Sequence, residues 1–167
     1  MDIFLPIFRA LETADVKYLT VGGLATVLHG HPRLTSDIDL IVQLDEQNCK
    51  RAIQCLIELK FQPRAPVDPL EFANKLTREE WITTKGLTVF SMYSTVGFPI
   101  EIDLFVREPF NFDELWEKRM DTIADGVTIH VIDKDSLIAL KTLSGRSKDI
   151  EDIAALKLLD NEGNKNE

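Results

Sequence analysis

No other stretch of this chain limits its fold as tightly as Val21 to Val42, VGGLATVLHGHPRLTSDIDLIV, where two adjacent glycines precede a short helical segment and then two aspartates. Val16, Tyr18, Leu19 and Val21 form an apolar run that reads as a strand. Gly22 and Gly23 leave the backbone uncovered at its end, before Leu24 to His29 turns helically. Such a helix start offers unpaired N–H groups with the helix dipole behind them, which suits an anion such as a phosphate. Asp37 to Val42 reads as a second strand. Alternate side chains of a strand share a face, so Asp37 and Asp39 project together while Ile38, Leu40 and Val42 face the other way. Two carboxylates side by side repel each other, a divalent cation relieves that repulsion, and paired hard oxygen ligands suit magnesium beside phosphates.

A third acid stands in similar surroundings further along. Leu87 to Tyr93 and Ile100 to Val106 alternate in the manner of strands, with Gly97-Phe98-Pro99 between them, and read as an antiparallel pair. On the second of these, Ile100, Ile102 and Leu104 share one face, and Glu101, Asp103 and Phe105 share the other. An isolated carboxylate such as Asp103 in an apolar run is costly unless something cationic meets it. If this strand pairs with the one bearing Asp37 and Asp39, three carboxylates converge on one ridge.

Strand, glycine pair, helix and Asp-any-Asp strand together resemble the nucleotidyltransferase superfamily typified by DNA polymerase beta. The Gly-Gly form, with Arg33-Leu34-Thr35 before Asp37, is most similar to small bacterial members: abortive-infection nucleotidyltransferase toxins and the lincosamide and aminoglycoside nucleotidyltransferases. Polymerases and many minimal members carry Gly-Ser instead. The resemblance implies that Gly22, Gly23 and the helix start hold the triphosphate of an NTP, and that Asp37 and Asp39 hold two magnesium ions. It further implies that Asp103 is the later carboxylate sharing one ion and taking the acceptor's proton. The implied reaction transfers a nucleoside monophosphate to a hydroxyl and releases pyrophosphate. The acceptor is left open among a small molecule, a tRNA and a protein, and an antitoxin partner or a catalytically silent nucleotide-binding module on the same fold is the other reading. Phosphatases with an aspartyl nucleophile also use an Asp-any-Asp triplet, but there a buried strand leads into the acids. Here polar Arg33 to Ser36 precede them and the apolar run follows.

The segment LIALKTLSGRSKDIEDI resembles a C-terminal element of the same small bacterial members. Two readings stay open for Lys141, Arg146 and Lys148: contact with the triphosphate or second substrate, since Lys and Arg neutralise transferring phosphates, or ordinary helix solvation with Arg146 paired to Asp149 or Asp152. Arg33 has the same two readings. Asp149 and Asp152 are read as scaffolding.

The expected fold is α/β in the broad α+β sense, a small mixed β-sheet with flanking helices in one domain over residues 1–160, followed by a disordered polar tail, 161–167. Ile3 to Thr13, Glu46 to Lys60 with Asp45 as cap, Phe112 to Arg119, Ser136 to Ser144 capped by Asp133 or Asp135, and Asp149 to Leu159 carry helical spacing. Asp125-Gly126 marks a hairpin between two short strands. Proline-rich Phe61 to Asp68 reads as irregular and the stretch on to Lys85 as the least regular in the chain, apart from a short helix at Leu70 to Lys75.

A net charge of −9 argues against a broad nucleic-acid surface, because non-specific affinity for polyanions comes from Lys and Arg. Cys49 and Cys55, the only cysteines, suit neither a metal site nor a bridge and read as reduced packing residues. The opening residues lack a secretory pattern and no apolar run approaches the roughly 18 residues of a membrane span, so a soluble, cytoplasmic protein is expected. His29 reads as a helix end, His130 as a strand histidine with no partner, and Trp81 and Trp116 as packing residues rather than base-stacking ones.

Overall fold

A computed structural model describes residues 1–163, with side chains up to Leu159. Its centre is the strand β2 (Asp37–Val42), paired antiparallel with β1 (Tyr18–Val21) and parallel with β5 (Glu101–Phe105). The sheet has seven strands in the order β3-β4-β5-β2-β1-β7-β6, completed by β3 (Phe61–Pro63), β4 (Val89–Ser94), β6 (Met120–Ala124) and β7 (Val127–Val131). Ile38 pairs with Ile102 and Leu40 with Leu104, while Met92 and Phe90 face the same two residues from β4. These six side chains are at most 2% exposed, so the apolar half of each strand's alternation lies in the core. The other half presents Asp37, Asp39, Glu101, Asp103, Ser91 and Tyr93 on one face.

Helices α1 (Leu5–Thr13) and α3 (Glu46–Glu58) pack on each other, α1 also on β7 and α3 on β2 and β3. Pro6 falls in the first turn of α1, where its missing N–H is no loss, and Asp45 caps α3 by accepting from the Asn48 amide. α2 (Gly22–Leu28) contacts β1, β2 and α6 (Lys134–Ser144), which packs in turn on α7 (Ser147–Gly163). α5 (Phe112–Lys118) precedes β6. Asp125 and Gly126 both take positive φ, 48° and 74°, as the expected tight hairpin between β6 and β7 requires. The tail expected at 161–167 overlaps the last turn of α7 and beyond residue 163 lies outside the described residues. Among the described residues no helix is long and apolar enough to cross a membrane.

The structure differs most from expectation between Phe61 and Lys85. The prolines do not prevent order: Pro63 ends an edge strand, where a missing N–H removes little, and Pro69 opens a 3-10 turn, Pro69–Ala73. α4 (Lys75–Lys85) then forms, started by the Asn74 side chain on the amides of Leu76 and Thr77 and stopped by Gly86 at φ 62°. It is anchored by Trp81, 4% exposed and stacked on Phe90, and by buried Arg78, which donates to the carbonyls of Phe72 and Leu44. Its single apolar anchor gives too weak a periodicity to read from sequence.

One buried polar residue ties the first helix layer to the sheet. Asn48, fully buried, accepts from the Lys17 amide at 2.8 Å and donates to the carbonyls of Lys17 and Gln43, both at 2.9 Å. Asn48→Ala leaves the Lys17 amide without its acceptor and takes one donor from each carbonyl, which keep the Gln43 amide at 3.1 Å and the Cys49 thiol at 3.8 Å. The expected cost is about 2–4 kcal/mol, read as a lower urea midpoint with unchanged slope. Cys49 and Cys55 are both buried and unbridged, and burial pushes their thiols up to about 11 and about 12. His130 does have a partner, contrary to the sequence reading: its Nδ1 lies 2.7 Å from Asp121 on the neighbouring strand, with its ring against the edge of Trp116.

Candidate active site

Parallel pairing of β2 with β5 sets Asp39 opposite Asp103 and Asp37 opposite Glu101. Asp39 is also opposite Val21, immediately before the glycine pair. Gly22 is required there by packing as much as by backbone: it has φ 65°, and a Cβ on it would come 1.9 Å from Asp39 Oδ2. A Cβ on Gly23 would lie 2.9 Å from Thr35 Oγ1 and 3.3 Å from Arg33 Nη2. The two glycines fall in the first turn of α2 rather than in a loop ahead of it, and they admit the Asp39 carboxylate and the Arg33 side chain close to the helix start.

The acids differ in environment. Asp37 is exposed, and its Oδ1 accepts from the Ser36 amide and hydroxyl. Asp39 is half-buried; burial, then Asp103 and Asp37, push its carboxyl up to about 6 against the opposing pull of Arg146 and Lys141. Asp103 is raised as well, by burial first, with Glu101 and Asp37 adding and Ser91 and Arg64 opposing. Its Oδ1 is buried and has no hydrogen-bond partner among the described residues. Glu101 is engaged instead by Arg64, whose Nε and Nη2 meet its two oxygens at 2.5 and 2.7 Å. The sequence pattern places Glu101 on the face of Asp103 but gives no role to it, to Ser91 or to Arg64. Ser91 could have been found from the alternation that puts it on the acid-bearing face of β4.

A cavity of about 490 Å³ opens on Gly22, Asp39, Asp103, Lys141 and Arg146, with Phe105 and Leu140 on an apolar wall. A larger groove of about 990 Å³ runs along α1 and contains none of the candidate residues. Lys141 is 4% exposed, held by Asp152 at 2.6 Å and Asp149 at 3.6 Å. Arg146 Nε meets Asp149 at 3.0 Å, and Arg33 Nη1 meets Asp152 at 2.5 Å. Burial pushes the Asp149 carboxyl up, but Arg146, Ser144 and Lys141 together outweigh it and hold it below its usual range. Lys141 and Arg146 therefore line the cavity; Arg146 also makes the Asp149 pair of the alternative reading, whereas Lys141 is buried between two carboxylates rather than solvated. Lys148 is exposed and does not line the cavity. Neither tryptophan lines it.

Among the described residues, no group of three or more His, Cys, Asp or Glu side chains makes a ready-formed metal site. Asp39 and Asp103 nonetheless fit a hard divalent cation: two carboxylates in register, both raised, one with an orphaned oxygen. Magnesium commonly takes one or two protein carboxylates and completes its shell with water and substrate phosphates.

Comparison with curated protein sequences gives no match. Among solved structures, an antigenic nucleotidyltransferase-like protein from Paracoccidioides brasiliensis matches with a TM-score of 0.64 at 18% identity, over 95% of this chain and 75% of its own. The lincosamide antibiotic adenylyltransferase LnuA, determined with lincomycin bound, matches with a TM-score of 0.60 at 19% identity, over 94% of this chain and 96% of its own. ANT(2'')-Ia, determined in complex with adenylyl-2''-tobramycin, matches with a TM-score of 0.57 at 12% identity, over 93% and 86%. At these identities the likeness is one of fold, a mixed sheet with flanking helices shared with nucleotidyltransferases. The family described as "Nucleotidyltransferase of unknown function (DUF6036)" matches residues 6–162, nearly the whole chain, and the protein belongs to it.

Proposed function

We propose that this protein transfers a nucleoside monophosphate from an NTP to a hydroxyl group of a small molecule, releasing pyrophosphate. The observation that carries this reading is the register that sets Asp39 beside Asp103, on a cavity that also opens on Gly22, Lys141 and Arg146. Family membership supports the reaction class. A small-molecule acceptor is favoured by the antibiotics bound in LnuA and ANT(2'')-Ia and by the net charge of −9, which disfavours a polyanionic acceptor.

Asp37, Asp39 and Asp103 would hold two magnesium ions, Asp39 and Asp103 from the cavity and Asp37 from its exposed position one alternation away. When bound, the ions supply Lewis acidity that lowers the pKa of the acceptor hydroxyl and stabilises charge on the departing pyrophosphate. The start of α2 at Gly22 and Gly23 seats the triphosphate, with Arg33, Lys141 and Arg146 neutralising it. Lys148, exposed at the start of α7, stays outside this set. The acceptor oxygen bonds to the α-phosphorus as the bond to pyrophosphate breaks, and the carboxylate of Asp103, which lines the cavity, takes the hydroxyl proton.

The test is incubation of each α-labelled NTP with magnesium and three classes of acceptor: polyhydroxylated small molecules including lincosamides and aminoglycosides, total RNA, and cell protein. Label moving into a small-molecule product with stoichiometric pyrophosphate is the expected result. Label retained on RNA or protein reassigns the acceptor. Absence of pyrophosphate with every NTP and acceptor, alongside measurable nucleotide binding, makes the protein a silent binding module, alone or with an antitoxin partner.

A further inference from the structure

We infer that Asp152 is a positioning residue, a single carboxylate oxygen that sets two cations, Arg33 and Lys141, for the phosphates of the incoming nucleotide; the inference rests on the nucleotide-transfer reading above. Its Oδ2 accepts from Arg33 Nη1 at 2.5 Å and from Lys141 Nζ at 2.6 Å. The three residues come from separate parts of the fold: Arg33 from the segment between α2 and β2, Lys141 from α6 and Asp152 from α7. Arg33 in turn lies against the start of α2, where a Cβ on Gly23 would approach its Nη2 to 3.3 Å. Lys141 lines the cavity that holds Asp39 and Asp103. One oxygen therefore fixes a cation at the helix start and a cation on the cavity wall.

Burial separates this arrangement from ordinary surface pairing. Lys141 is 4% exposed and Asp152 3%, so neither charge has water as an alternative partner and each holds the other in place. An exposed pair such as Lys50 with Glu46 lacks that constraint and orients little. The group is also unbalanced. Among the described residues, Arg33, Lys141 and Arg146 form ion pairs with two carboxylates, Asp149 and Asp152, one cation more than the acids on the α6–α7 side of the cavity, with Asp39 acting on Lys141 and Arg146 from the sheet side. A polyphosphate supplies the missing anion through charge-assisted hydrogen bonds, and cations already held in place lose little freedom in making them.

Inorganic tripolyphosphate is the probe, titrated calorimetrically into the full chain without divalent ions, with the NTP and magnesium titrated in parallel. Thermal melts first establish that each variant is folded. Folded Asp152→Asn is expected to bind tripolyphosphate about tenfold more weakly or worse, one charge-assisted interaction's share of the affinity. In turnover it should raise KM for the NTP with kcat at saturation near the parental value. Asp152→Glu, which keeps the charge, should recover most of the affinity. Arg33→Ala should lose a comparable amount, and the double variant less than the sum, because both changes dismantle one unit. Parental affinity in folded Asp152→Asn, tighter binding there, or strictly additive losses would each overturn the positioning role; tighter binding would make Asp152 a mere neutraliser. Should Asp152→Asn not fold, Arg33→Ala decides, since parental tripolyphosphate affinity in that variant also overturns it. A parental protein that binds neither probe ends the nucleotide reading itself, whereas one that turns over NTP unaffected by Asp152→Asn ends only this inference.

Discussion

Asp39→Asn is expected to abolish nucleotide transfer while making the ligand-free protein more stable at neutral pH. The loss of activity should be at least about 10³-fold, on the scale of removing a principal electrostatic stabiliser of a transition state. Asn preserves the size of the side chain, so the packing against Gly22 survives. The gain in stability follows from the raised carboxyl. Its pKa in the folded protein is about 6 against an ordinary aspartate value of 3.8, because burial and the neighbouring Asp103 and Asp37 disfavour the charged form. Between those values the folded protein binds more protons than the unfolded chain, so stability is fully present below about pH 4 and is lost as pH rises through about 6. Discounted for partial exposure, the penalty at pH 8 is about 1–2 kcal/mol. The melting temperature of Asp39→Asn should therefore exceed the parental value at pH 8 by a few degrees and converge with it at pH 4. Because Asp39 and Asp103 interact, the measured window belongs to the pair. A parental rate of transfer in the variant, or a melting difference that does not change with pH, contradicts this account.

Gly22→Ala should cost more than any other single methyl group in the site. Its φ of 65° is unfavourable for a residue with a Cβ by about 1–2 kcal/mol, and the new methyl would sit 1.9 Å from Asp39 Oδ2, so the carboxylate must move. Together these predict a loss of about 2–4 kcal/mol, or roughly 5–15 °C in melting temperature for a chain of this size. Transfer activity should fall with it, because Asp39 is displaced from Asp103. Gly97→Ala is the internal control. Gly97 has φ 72° but nothing within 4 Å of the added Cβ, so it should show only the backbone penalty and keep activity. Equal effects at the two positions would mean that Gly22 matters for its backbone alone and not for the room it leaves the acid.

The faces of β2 and β5 were legible from sequence, since alternation in DIDLIV and IEIDLFV states which side chains travel together whatever the partner strand. Capping was legible too. Asp45 and Asp133 accept from the amides three residues on, and Gly145 ends α6 at φ 63°. α4 was missed because its signals, Asn74 and Gly86, flank a helix whose inward face is little more than Trp81 and the stem of Arg78. His130 reads as unpartnered from its own strand alone, although the two-residue Asp125-Gly126 turn already fixes the register that sets Asp121 opposite it.

The sequence by itself determined most of the elements and their apolar faces, because these follow from dihedral preference and side-chain periodicity within a few residues; the choice of Asp37, Asp39 and Asp103 as candidates came from the resemblance of their order and spacing to a known family. Only the tertiary structure decided that β5 lies parallel to β2 with Asp103 against Asp39, that Lys141 is buried between Asp149 and Asp152, and that Asp39 needs Gly22 bare. Those depend on which strand edges pair and how α6 and α7 dock. Such choices are settled by the free energy of the whole core, in which residues more than sixty positions apart are as close as neighbours.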